Sequence, residues 1–171
     1  MQGCHSGMFS NGPVSLSDGL NKLVSEHIPL REGLEKLFSL CKTVTEEQGP
    51  SFEELVQAVK NFSKELDYHS EREETILFRM MEVYIGKNGG PIAVMEYEHE
   101  QAHGFINKFF KNVDNNSDLT DDEKIQNASL IENAYHTLIN HFAKEENVLY
   151  PMAERLFTDE EKELVNQRVS E

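Results

Sequence analysis

Tryptophan is absent from this chain of 171 residues, cysteine occurs twice and proline five times, and 16 basic residues face 31 acidic ones. Two cysteines, Cys4 and Cys41, cannot build a disulfide framework and suit a reducing compartment. The formal net charge of −15 repels nucleic acid and anionic membrane surfaces, which removes both as expected partners. No apolar run approaches the roughly 18 to 20 residues that span a bilayer. The opening stretch MQGCHSGMFSNGPVS has neither a basic n-region nor an apolar h-region, so the expected location is the cytoplasm, with no secretory signal. Little strand-like alternation is present either, which leaves a single acidic, helical domain.

Start and stop signals divide the chain. Residues 1–14, rich in Gly, Ser and Asn, read as a flexible tail. A first helix is expected from Ser15 or Ser17 to just before Gly49-Pro50. A second opens at the capping box Ser51–Glu54 and reaches about Tyr84, before the glycine-rich loop 86–90. Pro91 suits the first position of a third, which dissolves at 114–118. Thr120–Glu123 is another capping box, opening a fourth helix to about Tyr150, where Pro151 kinks or ends it. A short fifth begins at Thr158. No internal repeat is evident. The expected fold is all-α, an up-down-up-down four-helix bundle over 15–156, with 157–171 as a short C-terminal helix packed on it or trailing it.

The polar residues on the apolar faces carry the information. At about 100° per residue, the first stripe is Leu16, Leu20, Leu23, Val24, Leu34, Phe38 and Cys41, and it contains His27. The second, Leu55, Phe62, Leu66, Ile76, Leu77 and Met80, contains His69 and Glu73. The third, Ile92, Met95, Ile106, Phe110 and Val113, contains His99 and His103. The fourth, Ile131, Ala134, Leu138, Val148, Leu149 and Met152, flanks His141 and Glu145. At about 1.5 Å per residue, all seven fall roughly 8 to 23 Å from one end of an antiparallel bundle, in one broad layer. Each i, i+4 pair (His69/Glu73, His99/His103, His141/Glu145) presents two side chains on one helix face. Burying unpartnered carboxylates costs several kcal/mol, and no inward Lys or Arg complements them. Two cations bound by imidazoles and carboxylates remove that cost, so a dinuclear metal centre is expected. Glu145 shares the face of His141, whereas Glu146 lies about 140° away. His136 is expected on a solvated face, and Glu26 and Glu98 either exposed or outside the ligands.

The stretches Glu26-His27, His69-Ser-Glu-Arg-Glu73, Glu98-His99-Glu-Gln-Ala-His103 and His141-Phe-Ala-Lys-Glu145-Glu-Asn-Val-Leu-Tyr-Pro151 resemble the hemerythrin family, including its bacterial cation-binding branch. The resemblance covers about residues 16 to 155. It implies two non-haem iron ions, Fe2+ or Fe3+, with an oxo or hydroxo bridge. It further implies His99, His103 and His141 on one iron, His27 and His69 on the other, and Glu73 and Glu145 bridging. Oxygen-carrying hemerythrins place the last carboxylate five residues after the fourth-helix histidine, here Glu146. The bacterial branch and the proteins that repair nitrosatively damaged iron centres are more similar to a spacing of four, which selects Glu145. Two histidines in the third helix are instead similar to the oxygen carriers.

Five histidines and two carboxylates leave one iron with an open position, walled by Leu138 one turn before His141. The resulting expectation is a protein that binds dioxygen for storage, scavenging or sensing, rather than an enzyme. The alternative is a stress protein that handles NO or peroxide, or supplies iron for repair of iron centres.

Overall fold

The computed structural model describes residues 14–47 and 51–171, and these residues are helical almost throughout. The expected tail, with Cys4 and His5, lies outside the described residues except for Val14. Helix α1 is Asp18–Glu47. Helix α2 runs through three consecutive segments, Ser51–Arg72, Glu73–Leu77 and Phe78–Ile85. Helix α3 is Pro91–Asn115. Helix α4 again has three segments, Asp121–Lys144, Glu145–Leu149 and Tyr150–Leu156, and α5 is Asp159–Val169.

The boundaries follow local chemistry. Thr120 with Glu123, and Thr158 with Glu161, form reciprocal capping boxes that satisfy the first free N–H groups of α4 and α5. Gly86, at φ 75°, ends α2 in the left-handed region where other residues are strained. Pro91 opens α3.

The middle segments of α2 and α4 are wider π-turns. The Phe78 N–H reaches back to the Glu73 carbonyl and the Tyr150 N–H to the Glu145 carbonyl, five residues each. Each π-turn therefore starts at an inward glutamate and adds one residue to the helix phase. Past each turn the buried residues are Leu77, Phe78 and Met81, and Leu149, Tyr150 and Ala153. The expected stripe kept a uniform 100° and is corrected here: Val148 is 52% exposed, and Ile76, Met80 and Met152 are only partly buried. Pro151 does not end α4. It falls in the first turn of the last segment, where a missing N–H costs little.

Helices α1 and α2, α3 and α4, and α1 and α4 pack as close neighbours, with α5 against α1. The two hairpins repeat one another, contrary to the expectation of no repeat. His27, His69, Glu73 and Phe78 correspond to His99, His141, Glu145 and Tyr150 at a constant spacing of 72 residues. The polar layer lies between two apolar clusters. One holds Leu34, Leu66, Phe109, Leu138 and Phe142, and the other holds Leu23, Leu77, Phe78, Leu149 and Tyr150.

Helix α5 approaches the start of α1 closely at Gly19. A Cβ there would meet the Asn166 backbone nitrogen at 2.6 Å and its Cα at 2.8 Å, and backbone atoms cannot step aside. Helix propensity alone would make Gly19→Ala stabilising, but this overlap outweighs it. Gly19→Ala should destabilise by about 1–3 kcal/mol. Gly104→Ala, with nothing within 4 Å of the new carbon, should stabilise by about 0.5–1 kcal/mol. Denaturant unfolding of the two variants checks both signs.

Candidate metal centre

Six of the seven expected residues converge. His27 comes from α1, His69 and Glu73 from α2, His99 from α3, and His141 and Glu145 from α4, and none is more than 2% exposed. Their ligand atoms form two groups, each with all its atoms within 4.8 Å of one another. One is His27, His69, Glu73 and Glu145, and the other is His99, His141, Glu73 and Glu145. Both glutamates belong to both groups, so each group has two imidazoles of its own and shares two carboxylates.

The contacts repeat that division. Glu145 sets one oxygen 3.1 Å from His27 Nε2 and the other 2.8 Å from His141 Nε2. Glu73 Oε2 lies 3.4 Å from both His69 Nε2 and His99 Nε2. The Nε2 atoms of His27 and His69 face each other at 3.1 Å.

His103 stands outside both groups. Its ring is 27% exposed, with Nδ1 3.1 Å from Asp67 and Nε2 3.4 Å from the Ser70 hydroxyl. The reason lies in the α3 stripe, which buries Met95, His99, Ala102, Ile106 and Phe109 in alternating steps of four and three. That path runs through Ala102 and leaves His103 at its edge. Phe109, and not the expected Phe110, is the fully buried ring. Leu138 is buried in the larger apolar cluster. Glu145 points inward, and Glu146 lies at the periphery, 27% exposed. His136 is exposed. Tyr150, whose hydroxyl reaches Glu73 and lies 3.2 Å from His27 Nε2, was not among the expected site residues. It stood within the His141–Pro151 stretch of the resemblance with nothing to turn it inward, because the π-turn that does so is itself silent in the sequence.

The stretch that holds these residues matches a known family. The profile of the hemerythrin HHE cation binding domain matches residues 18–153. The chain belongs to this hemerythrin family. Relatives from Escherichia coli O139:H28, Escherichia coli K12 (strain DH10B) and Shigella boydii serotype 18, each named iron-sulfur cluster repair protein YtfE, are 35% identical to it over 96 residues. The matched stretch covers 53% of this chain and 42% of each relative's length.

In this hemerythrin domain every inward histidine is held from outside. Glu26 on α1 accepts from His69 Nδ1 at 2.6 Å, and Glu74 on α2 accepts from His99 Nδ1 at 2.7 Å. Glu98 on α3 accepts from His141 Nδ1 at 2.9 Å, and Glu146 on α4 accepts from His27 Nδ1 at 2.8 Å. Each carboxylate sits beside an inward residue of its own helix but grips the histidine of the next, and the ring closes from α4 back to α1. Arg72 pairs with Glu26, Lys144 with Glu98, and Arg31 with Glu146. An Nδ1–H fixed in this way turns the Nε2 lone pair inward, the tautomer a metal requires. Glu74 and Glu146 were missed as anchors, although both directly follow an inward glutamate.

The donor set fits a pair of cations. Glu73 Oε2 and both Glu145 oxygens are buried with no hydrogen-bond partner, as is His141 Nε2. Without cations, protons do part of the work. Burial alone depresses His99, but the Glu73 and Glu74 carboxylates outweigh it and lift it from 6.5 to about 10. Burial likewise opposes, and Glu145 overcomes, so that His141 rises to about 9. For Glu73, burial raises the pKa, but the neighbouring His69 and His99 hold it well below the usual 4.5.

The sign of the pH dependence follows. Raised histidines stabilise the metal-free fold fully below pH 6.5, and that contribution is lost as pH climbs toward 9 and 10. The lowered Glu73 contributes above pH 4.5 and is lost below it. Melting temperature of the metal-free protein should therefore peak between those limits and fall toward alkaline pH. Metal displaces these protons, so its affinity should rise over the same range, with proton release at neutral pH. Thermal scans across pH, and calorimetric titration in buffers of different ionisation enthalpy, check both.

The two adjacent glutamates should separate by function. Glu145→Ala removes a donor from both groups and should abolish binding of two ions. Glu146→Ala only frees the His27 ring and should weaken affinity about 10- to 100-fold while keeping the stoichiometry. Metal analysis after equilibrium dialysis distinguishes the two.

Proposed function

We propose that this chain is a non-haem di-iron protein of nitrosative and oxidative stress, which handles NO or peroxide or supplies iron for the repair of damaged iron centres. The observation that carries the proposal is the inward set of four histidines and two glutamates, with His103 outside it. A fifth histidine is what the resemblance to oxygen carriers required. The shared stretch with relatives named for iron-sulfur cluster repair supports the same choice, over the 53% of this chain that it covers.

His27 and His69 would hold one iron, His99 and His141 the other, and Glu73 and Glu145 would serve both. Iron bound there supplies a redox-active Lewis acid with positions free for a small ligand. The protein's part is to fix the imidazoles from outside, to exclude bulk water with two apolar clusters, and to offer an apolar wall at Leu138. A cytoplasmic setting belongs to this proposal. Cys41 is a free thiol that burial, with Glu132, pushes up to about 12, so it stays protonated and unreactive.

Dioxygen storage, scavenging or sensing is the second reading. It rests on His103, whose ring centroid lies 6.4 Å from that of His99 and which would have to turn inward to join it.

The deciding experiment uses protein reconstituted anaerobically with Fe(II). It should restore activity to an iron–sulfur hydratase damaged by NO, losing its own iron in proportion, and should not take up and release dioxygen over repeated cycles of air and vacuum. Reversible oxygen uptake with no restored hydratase activity would overturn the proposal.

A further inference from the structure

The two halves of the site repeat closely but differ in the side chains packed on the inward histidines: Phe142, whose ring stacks on His27 at 4.4 Å, has Ser70 as its counterpart, and Tyr150 has Phe78, the exchange that sets a hydroxyl on a shared glutamate. Phe78 and Tyr150 are counterparts in the repeat, each the first residue after a π-turn. The Phe78 ring stacks on His99 with centroids 5.6 Å apart at 25°, and the Tyr150 ring stacks on His27 at 5.7 Å and 27°. The placement is the same, and only Tyr150 carries a hydroxyl. That hydroxyl is completely buried and donates to Glu73 Oε1. Of the four oxygens of Glu73 and Glu145, it occupies one, and the other three have no hydrogen-bond partner.

We propose that Tyr150 is a positioning residue that makes the two ion positions unequal, leaving the His27–His69 position the weaker one, from which an ion is given up first. The inference rests on the two-ion reading of the site. The hydroxyl lies 3.2 Å from His27 Nε2 and so stands on the His27 side of Glu73. By engaging Oε1 there, it withdraws from the His27–His69 group an oxygen that Glu145 keeps free on the His141 side. Glu73 then offers a single oxygen, Oε2, equidistant at 3.4 Å from His69 and His99. Each position keeps one Glu145 oxygen and a share of Glu73 Oε2, but the hydroxyl denies an ion beside His27 the use of Oε1 and crowds that side, and no hydroxyl does the same beside His99. For a protein that supplies iron, unequal positions separate the ion that leaves from the ion that keeps the bundle together.

The repeat provides the test variants, because each substitution installs the side chain that its counterpart carries. Wild type, Tyr150→Phe and Phe78→Tyr are loaded anaerobically with Fe(II), and iron release to a colorimetric ferrous chelator is followed in time. Wild type should release its two ions in two phases. Tyr150→Phe should slow the fast phase several-fold, drawing the two rates together, and the two Mössbauer doublets of inequivalent ferrous sites should merge toward one. Phe78→Tyr, which points a hydroxyl at Glu145 beside His99, should speed the slow phase, and it tests the idea even if Tyr150→Phe folds poorly. Fewer than two ions in wild type would overturn the two-ion reading and this inference with it. Two ions with unchanged or faster release from Tyr150→Phe would overturn the inference alone. A tyrosinate-to-iron charge-transfer band in oxidised wild type, lost in Tyr150→Phe, would overturn it too, by making Tyr150 a ligand.

Discussion

Two glutamate side chains sit at the centre of the bundle with three of their four oxygens lacking a hydrogen bond, and the surrounding structure offsets that cost. An unpartnered carboxylate in such a place costs several kcal/mol, more than a small domain can absorb twice over. Four imidazoles answer it. They aim Nε2 atoms at the oxygens from four different helices, and in the proposed two-ion site the same atoms would hold either protons or cations. Proton and metal therefore compete for one set of donors, and folding, pH and metal content become a single coupled equilibrium.

The outer carboxylates turn that centre into a brace for the whole fold. Glu26, Glu74, Glu98 and Glu146 each cross to the histidine of the next helix, so no helix can rotate without breaking two of the four links. The brace extends outward through Arg72, which joins Glu26 and also donates to the Val169 carbonyl at the end of α5. The C-terminal helix is thereby tied to the His69 ring by a chain of three contacts. A domain of this acidity also places cations, Arg31, Arg72 and Lys144, where each neutralises an anchor carboxylate. Such pairs at the surface are weak individually, and here their effect is to fix the orientation of the anchor.

Much of this was legible in the sequence because helix geometry is regular. Capping boxes at Thr120 and Thr158, Pro91 and the glycine loop set the boundaries, and four apolar stripes at 3.6-residue spacing gave the bundle. His27, His69, Glu73, His99, His141 and Glu145 stood out because polar residues that interrupt such stripes on four helices at one depth need a common partner. The choice of Glu145 over Glu146 needed only the 100° rule. His103 could not be placed by that rule, since i+3 and i+4 positions both lie near a helix face. The constant spacing between halves would have helped: His103 occupies the place of Arg31, which lies at the edge of α1.

Composition and periodicity determined that this chain is helical, that it forms four long antiparallel helices, and which titratable residues face inward. They do so because burial of apolar surface selects one face of every helix, and a residue on that face has nowhere else to go. Tertiary structure alone decided the π-turns, the inward turn of Tyr150 and the ring of outer carboxylates. A π-turn gains nothing from local sequence; what it gives up in α-helical hydrogen bonding is offset by the packing it permits, of Phe78 on His99 and of Tyr150 on His27. The anchors are likewise contacts between helices, and a contact between Glu146 and His27, far apart in the chain, exists only once the bundle has closed.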